Sequence, residues 1–309
     1  MFGDSVMDKK GAITDESINR LINDSRSMLM EGKLEQAIDN LLPIFKARPD
    51  HTEVNALVGA ILLSVQKFQL AEQFLYSAVN SSQWRNTGAV SNLAQVFMHT
   101  DAVPLAVKTL LRGMEAIGND DTTGTLSLCF GDLAYSVGNY SEAAEWYLVA
   151  ALKRPSSIDI WVKASTIRYP SIGRNYKLAE NVLMQALDLN RDSAELLFHL
   201  GLTMHGTERY IEAITFYQES YRMGCMNTDL LPTLATALHS NGQFTEALEI
   251  YQRAVTNQSQ NAVFLANYAM LLNTMGRKSE GVNMATRALA VDENNTDAIR
   301  AMRECQTAM

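Results

Sequence analysis

The clearest pattern of apolar and polar positions lies between Thr228 and Gln260, and it predicts two consecutive helices. Spacings of three, one and three residues place four side chains on one face of a helix: Leu231, Leu234, Ala235 and Leu238. A second apolar face follows, formed by Phe244, Ala247, Tyr251 and Ala254. Asn241-Gly242-Gln243 separates the two faces, and Asn and Gly tolerate the left-handed backbone that ends a helix. The stretch therefore predicts a pair of antiparallel helices.

The small residue near the start of this second helix recurs along the chain at a nearly constant interval. It stands as Ala37, Ala71, Ala106, Ala143, Ala179, Ala213, Ala247 and Gly281, at intervals of 34, 35, 37, 36, 34, 34 and 34 residues. Seven residues later the position is again mostly small, with Ile44, Ala78, Gly113, Ala150, Ala186, Ser220, Ala254 and Ala288. Small side chains let helix backbones approach closely, so the sequence predicts a tandem array of helical hairpins.

This order of residues resembles the tetratricopeptide repeat (TPR), a helix-turn-helix unit of 34 residues. The resemblance covers Ile18 to Glu293, and it implies an all-α fold, an α-solenoid whose repeats wind into a right-handed superhelix. We expect eight repeats, at about residues 18–51, 52–86, 87–123, 124–157, 158–193, 194–227, 228–261 and 262–293. A mobile N-terminal tail is predicted for residues 1–17 and a capping helix for residues 294–309, because the last repeat would otherwise expose an apolar face.

Three places depart from the regular repeat. The turn at Thr100-Asp101-Ala102 lacks the usual glycine, and the composition of 118–124 predicts a solvent-facing loop with three extra residues. In the fifth repeat Trp161 stands where the family has tryptophan, but Pro170 interrupts the first helix. The segment 168–177 combines arginine, lysine and tyrosine, so it is a tolerated insertion, a specificity element or a small nucleic-acid contact.

Composition narrows the function classes. With 26 basic and 34 acidic side chains the net charge is −8, which opposes binding to nucleic acid or anionic lipid. The longest apolar run, Leu57 to Val65, is too short to cross a membrane. Three dispersed cysteines indicate neither a disulfide framework nor a zinc site, and favour a reducing compartment, so we expect a cytoplasmic location with the nucleus as an alternative. No motif for a cofactor or a catalytic nucleophile is present, and we predict that the chain is not an enzyme.

In a stack of this kind the first helices line a curved groove. The repeat register assigns ten candidate partner-binding residues to it: Asn23, Asn92, Gln95, His99, Asp132, His199, His205, His239, Asn267 and Asn273. The same register adds Arg26, Met30, Glu53, Met98, Tyr135, Lys163, Phe198, Thr236 and Met270.

Three asparagines, Asn23, Asn92 and Asn267, share one position of the repeat, with His199 as a substitute. This arrangement resembles the asparagine ladder of O-linked N-acetylglucosamine transferases. The resemblance implies that the side-chain amides bind the main chain of an extended peptide. Other residues interrupt the ladder: Leu57, Cys129, Lys163 and Thr233. The alternative is that the asparagines are ordinary polar residues on solvated helix faces.

Two other uses of the groove can be compared with the sequence. Chaperone adaptors with this fold grip a terminal carboxylate with lysine, arginine and asparagine, but around Asn92 the matching places hold Ala56, Ala60, Thr125 and Cys129. We therefore expect no carboxylate-clamp peptide.

His205 and His239 are one repeat apart and could bind a metal or respond to pH, but no third ligand shares their spacing. Solvated or hydrogen-bonded histidines are the alternative.

The leading hypothesis is a non-catalytic scaffold or adaptor that holds a peptide segment of a partner protein in the concave groove. One alternative is a structural subunit of a larger assembly, or a self-associating homo-oligomer. Another is a regulatory module for a separate enzyme.

Overall fold

The computed structural model describes residues 14–118, 121–166, 176–258 and 260–306. These residues form 17 α-helices and no strand, which confirms the all-α prediction. The helices are α1 (Asp15–Met30), α2 (Leu34–Ala47), α3 (Thr52–Ser64), α4 (Phe68–Ser81), α5 (Thr87–His99), α6 (Val103–Ile117), α7 (Thr125–Ser136), α8 (Tyr140–Lys153), α9 (Ile158–Thr166), α10 (Tyr176–Leu189), α11 (Ala194–Gly206), α12 (Tyr210–Arg222), α13 (Leu230–Ser240), α14 (Phe244–Ala254), α15 (Ala262–Thr274), α16 (Lys278–Val291) and α17 (Thr296–Gln306).

The hairpin predicted around Gly242 is present as α13 and α14, which pack against each other. Gly242 has φ of +79°, the left-handed conformation expected at this turn. In the repeats without a turn glycine the same conformation falls on a residue with a side chain: Gln66, Asp101 and Glu208. The turn geometry is thus retained where its preferred residue is absent.

The small residues of the ladder lie between packed helices. Each alanine that opens a second helix, from Ala37 to Ala247, has no exposed surface, and Gly281 is also buried. The second small position is buried as well, from Ile44 to Ala288. Close packing at these two positions is therefore confirmed, and it explains the regular interval, because a larger side chain at either position would push the helices apart.

The helices form two compact units, which we call the N-terminal unit (Met1–Arg154) and the C-terminal unit (Pro155–Met309). The N-terminal unit contains α1 to α8 around a core that includes Leu41, Leu75, Leu93 and Leu110. The C-terminal unit contains α9 to α17, with Trp161, Tyr217 and Tyr251 among its largest fully buried side chains. Within each unit the helices stack as successive pairs, the arrangement of an α-solenoid.

The last helix, α17, packs against α15 and α16 through Ala301, Ala269 and Ala285. Arg303 and Glu304 are exposed on its other side. This helix therefore presents a polar surface at the end of the apolar stack.

The start of the first helix differs from the prediction of a tail over residues 1–17. Helix α1 begins at Asp15, and the Thr14 side chain accepts a hydrogen bond from the Ser17 N–H at 3.2 Å. A threonine cap satisfies an N–H group that has no partner inside the helix, so 15–17 are helical. Residues 1–13 lie outside the described ranges. So do residues 168–175 of the predicted loop 168–177, whereas Tyr176 and Lys177 belong to α10.

The predicted solvent-facing loop at 118–124 contains a buried acid. Asp121 is only 4% exposed, and its carboxylate pairs with Lys153 of α8 at 3.2 Å. The same carboxylate accepts hydrogen bonds from the Gly124 N–H and the Thr123 hydroxyl. The prediction is wrong for Asp121, because a buried carboxylate with three partners is stable where composition alone indicates solvent.

Two apolar residues also lie differently from the sequence prediction. Phe244, assigned to a buried face, is 37% exposed and packs edge-on against His239. Phe198, assigned to the open groove, is buried and packs against Tyr217. No helix in the described part of the chain combines the length and apolar character needed to span a bilayer.

Candidate functional site

An open pocket of about 840 Å³ lies in the N-terminal unit, and we call it the N-unit pocket. Three first helices line it: α1 with Arg26, α3 with Glu53, Ala56, Leu57 and Ala60, and α5 with Gly88, Ala89 and Asn92. Its charged groups are mostly paired, because Arg26 bonds to Glu53 and Arg48 bonds to Asp15. The N-unit pocket is thus a charged surface whose two arginines already have carboxylate partners.

A second pocket of about 460 Å³ lies in the C-terminal unit, and we call it the C-unit pocket. It is lined by residues of α11 (Phe198, His199, Leu202, His205), of α13 (Pro232, Thr233, Thr236), of α15 (Val263, Phe264, Asn267), and of the segments that precede α13 and α15 (Asn227, Asp229, Asn261). Three predicted site residues, His199, His205 and Asn267, are brought together here. The described residues that line the pocket include one carboxylate, Asp229, and neither lysine nor arginine.

Most polar side chains of the C-unit pocket bond within the protein. Asn261 caps α15 by accepting a hydrogen bond from the Phe264 N–H at 3.0 Å, and Asn227 accepts one from the Asp229 N–H at 2.9 Å. Thr236 donates to the Pro232 carbonyl at 3.0 Å. Asn267 differs, because its half-buried amide has no hydrogen-bond partner among the described residues. Its donors and acceptor are therefore available to a ligand.

The other two asparagines of the same register share this property. Asn92 lines the N-unit pocket and is half-buried, whereas Asn23 is exposed on α1. Neither amide has a hydrogen-bond partner in the described part of the chain. Some asparagines at other repeat positions, in contrast, bond to the backbone, as Asn55 does to the Pro49 carbonyl and Asn190 to the Pro155 carbonyl. The three amides of this register are therefore not used by the described part of the fold.

Three of the predicted histidines make aromatic contacts with a neighbouring helix. His205 packs edge-on against Tyr210 with ring centroids 5.5 Å apart, and His239 packs against Phe244 at 5.9 Å. His99 stacks on Phe68 at 5.4 Å. No group of three or more metal-binding side chains occurs among the described residues.

Tyrosine from the second helix reaches the groove position of the first helix in two repeats. Tyr147 donates a hydrogen bond to the predicted site residue Asp132 at 2.8 Å, and the Tyr251 hydroxyl lies 3.2 Å from the Thr236 hydroxyl. Burial and the neighbouring Asp132 carboxylate raise the pKa of Tyr147, while burial raises the pKa of Tyr251 to about 12. The Asp132 carboxylate therefore already has a hydrogen-bond partner within the protein. The half-buried side chains of Gln95 and Asn273 have none among the described residues.

Sequence reasoning missed several residues of the C-unit pocket. Leu202 lies three residues after His199 on the same helix, so helical periodicity could have found it. Asn227, Asp229 and Asn261 precede the first helices α13 and α15, outside the helical positions from which the groove was predicted. Asn227 and Asn261 are 34 residues apart, so the repeat interval could have found them.

Acidification should destabilise the C-terminal unit through His199. Burial lowers the pKa of His199 to about 4, below the value near 6.5 of an unfolded histidine, so the folded state favours the neutral ring. The stabilisation is present above pH about 6.5 and is lost as pH falls toward about 4. We expect the thermal unfolding midpoint to fall across this window. The fall should be smaller in His199→Gln, and an identical pH dependence in both proteins would contradict the assignment.

Comparison with known proteins agrees with this geometry. The family model described as "YpiA-like, C-terminal tetratricopeptide repeats" matches residues 232–294, which include α14, α15, α16 and most of α13. The chain has the tetratricopeptide-repeat fold. No protein with a curated description matches its sequence.

Solved TPR structures extend the likeness beyond the matched segment. The C-terminal part of a TPR repeat-containing protein from Cytophaga hutchinsonii superimposes with a TM-score of 0.61 at 14% identity, covering 79% of this chain and 98% of that one. A structure described as the APC/C hetero-tetramer Cut9-Hcn1 gives a TM-score of 0.56 at 14% identity, covering 93% of this chain and 55% of that one. At these identities the likeness shows the TPR fold alone.

Proposed function

We propose that this TPR chain is a non-catalytic scaffold that holds an extended segment of a partner protein in the C-unit pocket. The observation that carries the proposal is the half-buried amide of Asn267, which has no hydrogen-bond partner among the described residues and lies in an open pocket. A TPR architecture generally supports protein interaction, and the proposal assigns that general role to this pocket.

The chemistry of Asn267 suits the main chain of a peptide. A side-chain amide offers two N–H donors and one carbonyl acceptor, which match the carbonyl and N–H groups of an extended chain. Such bonds make little demand on the partner's sequence. In this proposal Asn267 holds the peptide backbone, and the surrounding side chains select among sequences.

Apolar side chains form the rest of the proposed contact surface. Leu202, Pro232 and Val263 come from three successive first helices, and Val263 is 51% exposed. The volume of about 460 Å³ lies within the range of about 300–1,000 Å³ that is usual for ligand pockets. The surface therefore has room for one or two apolar side chains of a bound segment.

The same pocket is poorly suited to catalysis. It is open to solvent, and its histidines are held neutral, because burial lowers the pKa of both His199 and His205. Tyr210 and Tyr217 pack against the ring of His205, and no described cysteine lines the pocket. A binding role thus fits this chemistry better than acid–base or nucleophilic catalysis.

A cytoplasmic location stays a prediction from the sequence.

Selection of short random peptides displayed on phage, with the full chain immobilised, tests the proposal. Recovered peptides are then measured by fluorescence anisotropy against the wild type, Asn267→Ala and Val263→Arg. We expect Asn267→Ala to weaken binding by about threefold to tenfold, the loss of one hydrogen bond. Val263→Arg should abolish binding, because it places a long charged side chain in the pocket.

Two matched substitutions on the second helices control for general effects. Gln218→Ala removes an exposed amide from α12, and Ile211→Arg introduces an arginine at an exposed apolar position of the same helix. Both variants should bind the selected peptides like the wild type. Peptides that bind all five proteins equally would refute the proposed site.

A role in assembly is the second candidate, and one observation favours it. Second helices of the N-terminal unit expose a large apolar residue at the same repeat position: Leu42, Tyr76 and Leu111. Their spacing of 34 and 35 residues places them in one row on α2, α4 and α6. Light scattering separates self-association from the groove proposal. A strict monomer at high concentration would refute self-association.

A further inference from the structure

Two carboxylates stand beside the C-unit pocket at the same position of successive repeats. Glu195 of α11 and Asp229 before α13 are 34 residues apart, and both are exposed. Glu195 precedes His199 by four residues, and Asp229 precedes Thr233 by four, so each acid lies one helical turn from a pocket residue on the same face. Neither side chain has an ion pair or hydrogen bond among the described residues.

These carboxylates have no capping role in the fold. Asp229 occupies the N-cap position of α13, but its side chain accepts no capping hydrogen bond. The neighbouring first helices α11 and α15 are capped by the side chains of Ser193 and Asn261. An acid at the start of a helix gains some energy from the helix dipole without needing a partner, so both carboxylates keep their acceptor oxygens free.

Three histidines, Arg209 and Lys163 do not neutralise this charge. Burial lowers the pKa values of His199, His205 and His239, which keeps their rings uncharged at neutral pH. Arg209, at the start of α12, is bound to Glu180 and Glu212. Lys163, on α9, already has an interaction of its own. The pocket therefore carries a local negative charge, within a chain whose net charge is −8.

We propose that the segment bound in the C-unit pocket is basic, with two lysine or arginine residues that pair with Glu195 and Asp229. This inference rests on the proposed function, and it names the chemistry of the partner. Helices α11 and α13 are in contact, and packed helices lie about 8–10 Å apart. An extended chain advances about 3.3 Å per residue, so the two basic residues should be about three positions apart. Apolar residues between them then contact Leu202, Pro232 and Val263.

Two synthetic peptide pools test the inference by fluorescence anisotropy on the full chain. The pools share the same random and apolar positions, and they differ only in carrying lysine or glutamate at two positions three residues apart. We expect the lysine pool to bind about threefold to tenfold more tightly than the glutamate pool, as for two solvent-exposed ion pairs. The preference should shrink as salt concentration rises.

Charge reversal supplies the decisive comparison. The double variant Glu195→Lys with Asp229→Lys should reverse the preference, and Glu195→Gln with Asp229→Asn should abolish it with less disturbance of the fold. The matched control Asp188→Lys with Glu249→Lys makes the same change in net charge at exposed positions of α10 and α14. The control should keep the wild-type preference for lysine.

The outcomes distinguish this inference from the proposed function. If both pools bind equally and Val263→Arg blocks both, the groove proposal stands and the basic partner is refuted. If the control variant alters the preference as much as the reversal at Glu195 and Asp229, the effect is one of net charge and the inference is refuted. Failure of the lysine pool to bind at all also refutes it. Binding of the lysine pool that Val263→Arg leaves unchanged would overturn the proposed function itself.

Discussion

Replacing Trp161 by alanine is expected to lower the free energy of unfolding of the C-terminal unit by about 3–5 kcal/mol. Trp161 has no exposed surface, and its indole N–H donates to the Pro155 carbonyl at 3.0 Å. The substitution leaves a large cavity beside α9, a helix of only 9 residues, and leaves the Pro155 carbonyl with one partner fewer. Urea unfolding followed by circular dichroism measures the loss.

Two further substitutions separate the causes of this effect. Trp161→Phe keeps most of the apolar volume and removes the N–H donor, so it should recover the larger part of the stability. Trp146→Ala removes a tryptophan that is half-buried and stacked on Phe130 at 4.8 Å, and it should cost clearly less than Trp161→Ala. Equal losses for Trp146→Ala and Trp161→Ala would contradict the assignment of Trp161 to the core.

Gly131→Ala is expected to destabilise the N-terminal unit by about 1–3 kcal/mol. A Cβ atom at Gly131 would lie 2.5 Å from the Tyr147 ring, closer than van der Waals contact allows. The tyrosine ring is buried and its hydroxyl is held by Asp132, so the ring cannot move aside freely. Ala235 occupies the same repeat position beside Tyr251, which indicates that the fold can accommodate alanine after a local shift. Thermal unfolding of the variant measures the cost.

Gly88→Ala is the matched control for Gly131→Ala. Gly88 lies in the first turn of α5, and a Cβ atom there would meet only the Asn86 side chain at 3.5 Å, an ordinary contact. Alanine should therefore stabilise the helix slightly, by up to about 1 kcal/mol.

In a double-mutant cycle, Gly131→Ala should cost less when Tyr147→Leu is present, because Ala94 and Leu110 already form such a pair in the third repeat. Strict additivity would argue against contact between the two side chains.

The hairpins and their packing positions were predictable from the sequence. Ala37 to Gly281 recur at an almost fixed interval because each must fit between two helices, and that requirement is local to one repeat. The burial of Asp121 was not predictable in this way. It depends on Lys153, which is 32 residues further along the chain and approaches only after α8 has packed. Composition of the loop alone contains no information about that partner.

The candidate site was partly predictable for a related reason. The register located His199, His205 and Asn267 because groove positions recur with the repeat. It did not locate Asp229 or Asn261, since both precede a first helix and the groove was predicted from positions within those helices. Nor could it tell that Asp132 is bonded to Tyr147 whereas Asn267 has no partner in the described part of the chain. That difference depends on which side chain of the second helix reaches across the first.

The pairing of each helix with its neighbours in the chain has a consequence for biosynthesis. In the described ranges, helices that share extensive contacts are adjacent or next-adjacent along the sequence, such as α3 with α4 and α15 with α17. Folding therefore requires the closure of short loops only, which favours rapid folding. Each hairpin can dock as it leaves the ribosome, so we expect the N-terminal unit to be complete while the C-terminal unit is still being translated.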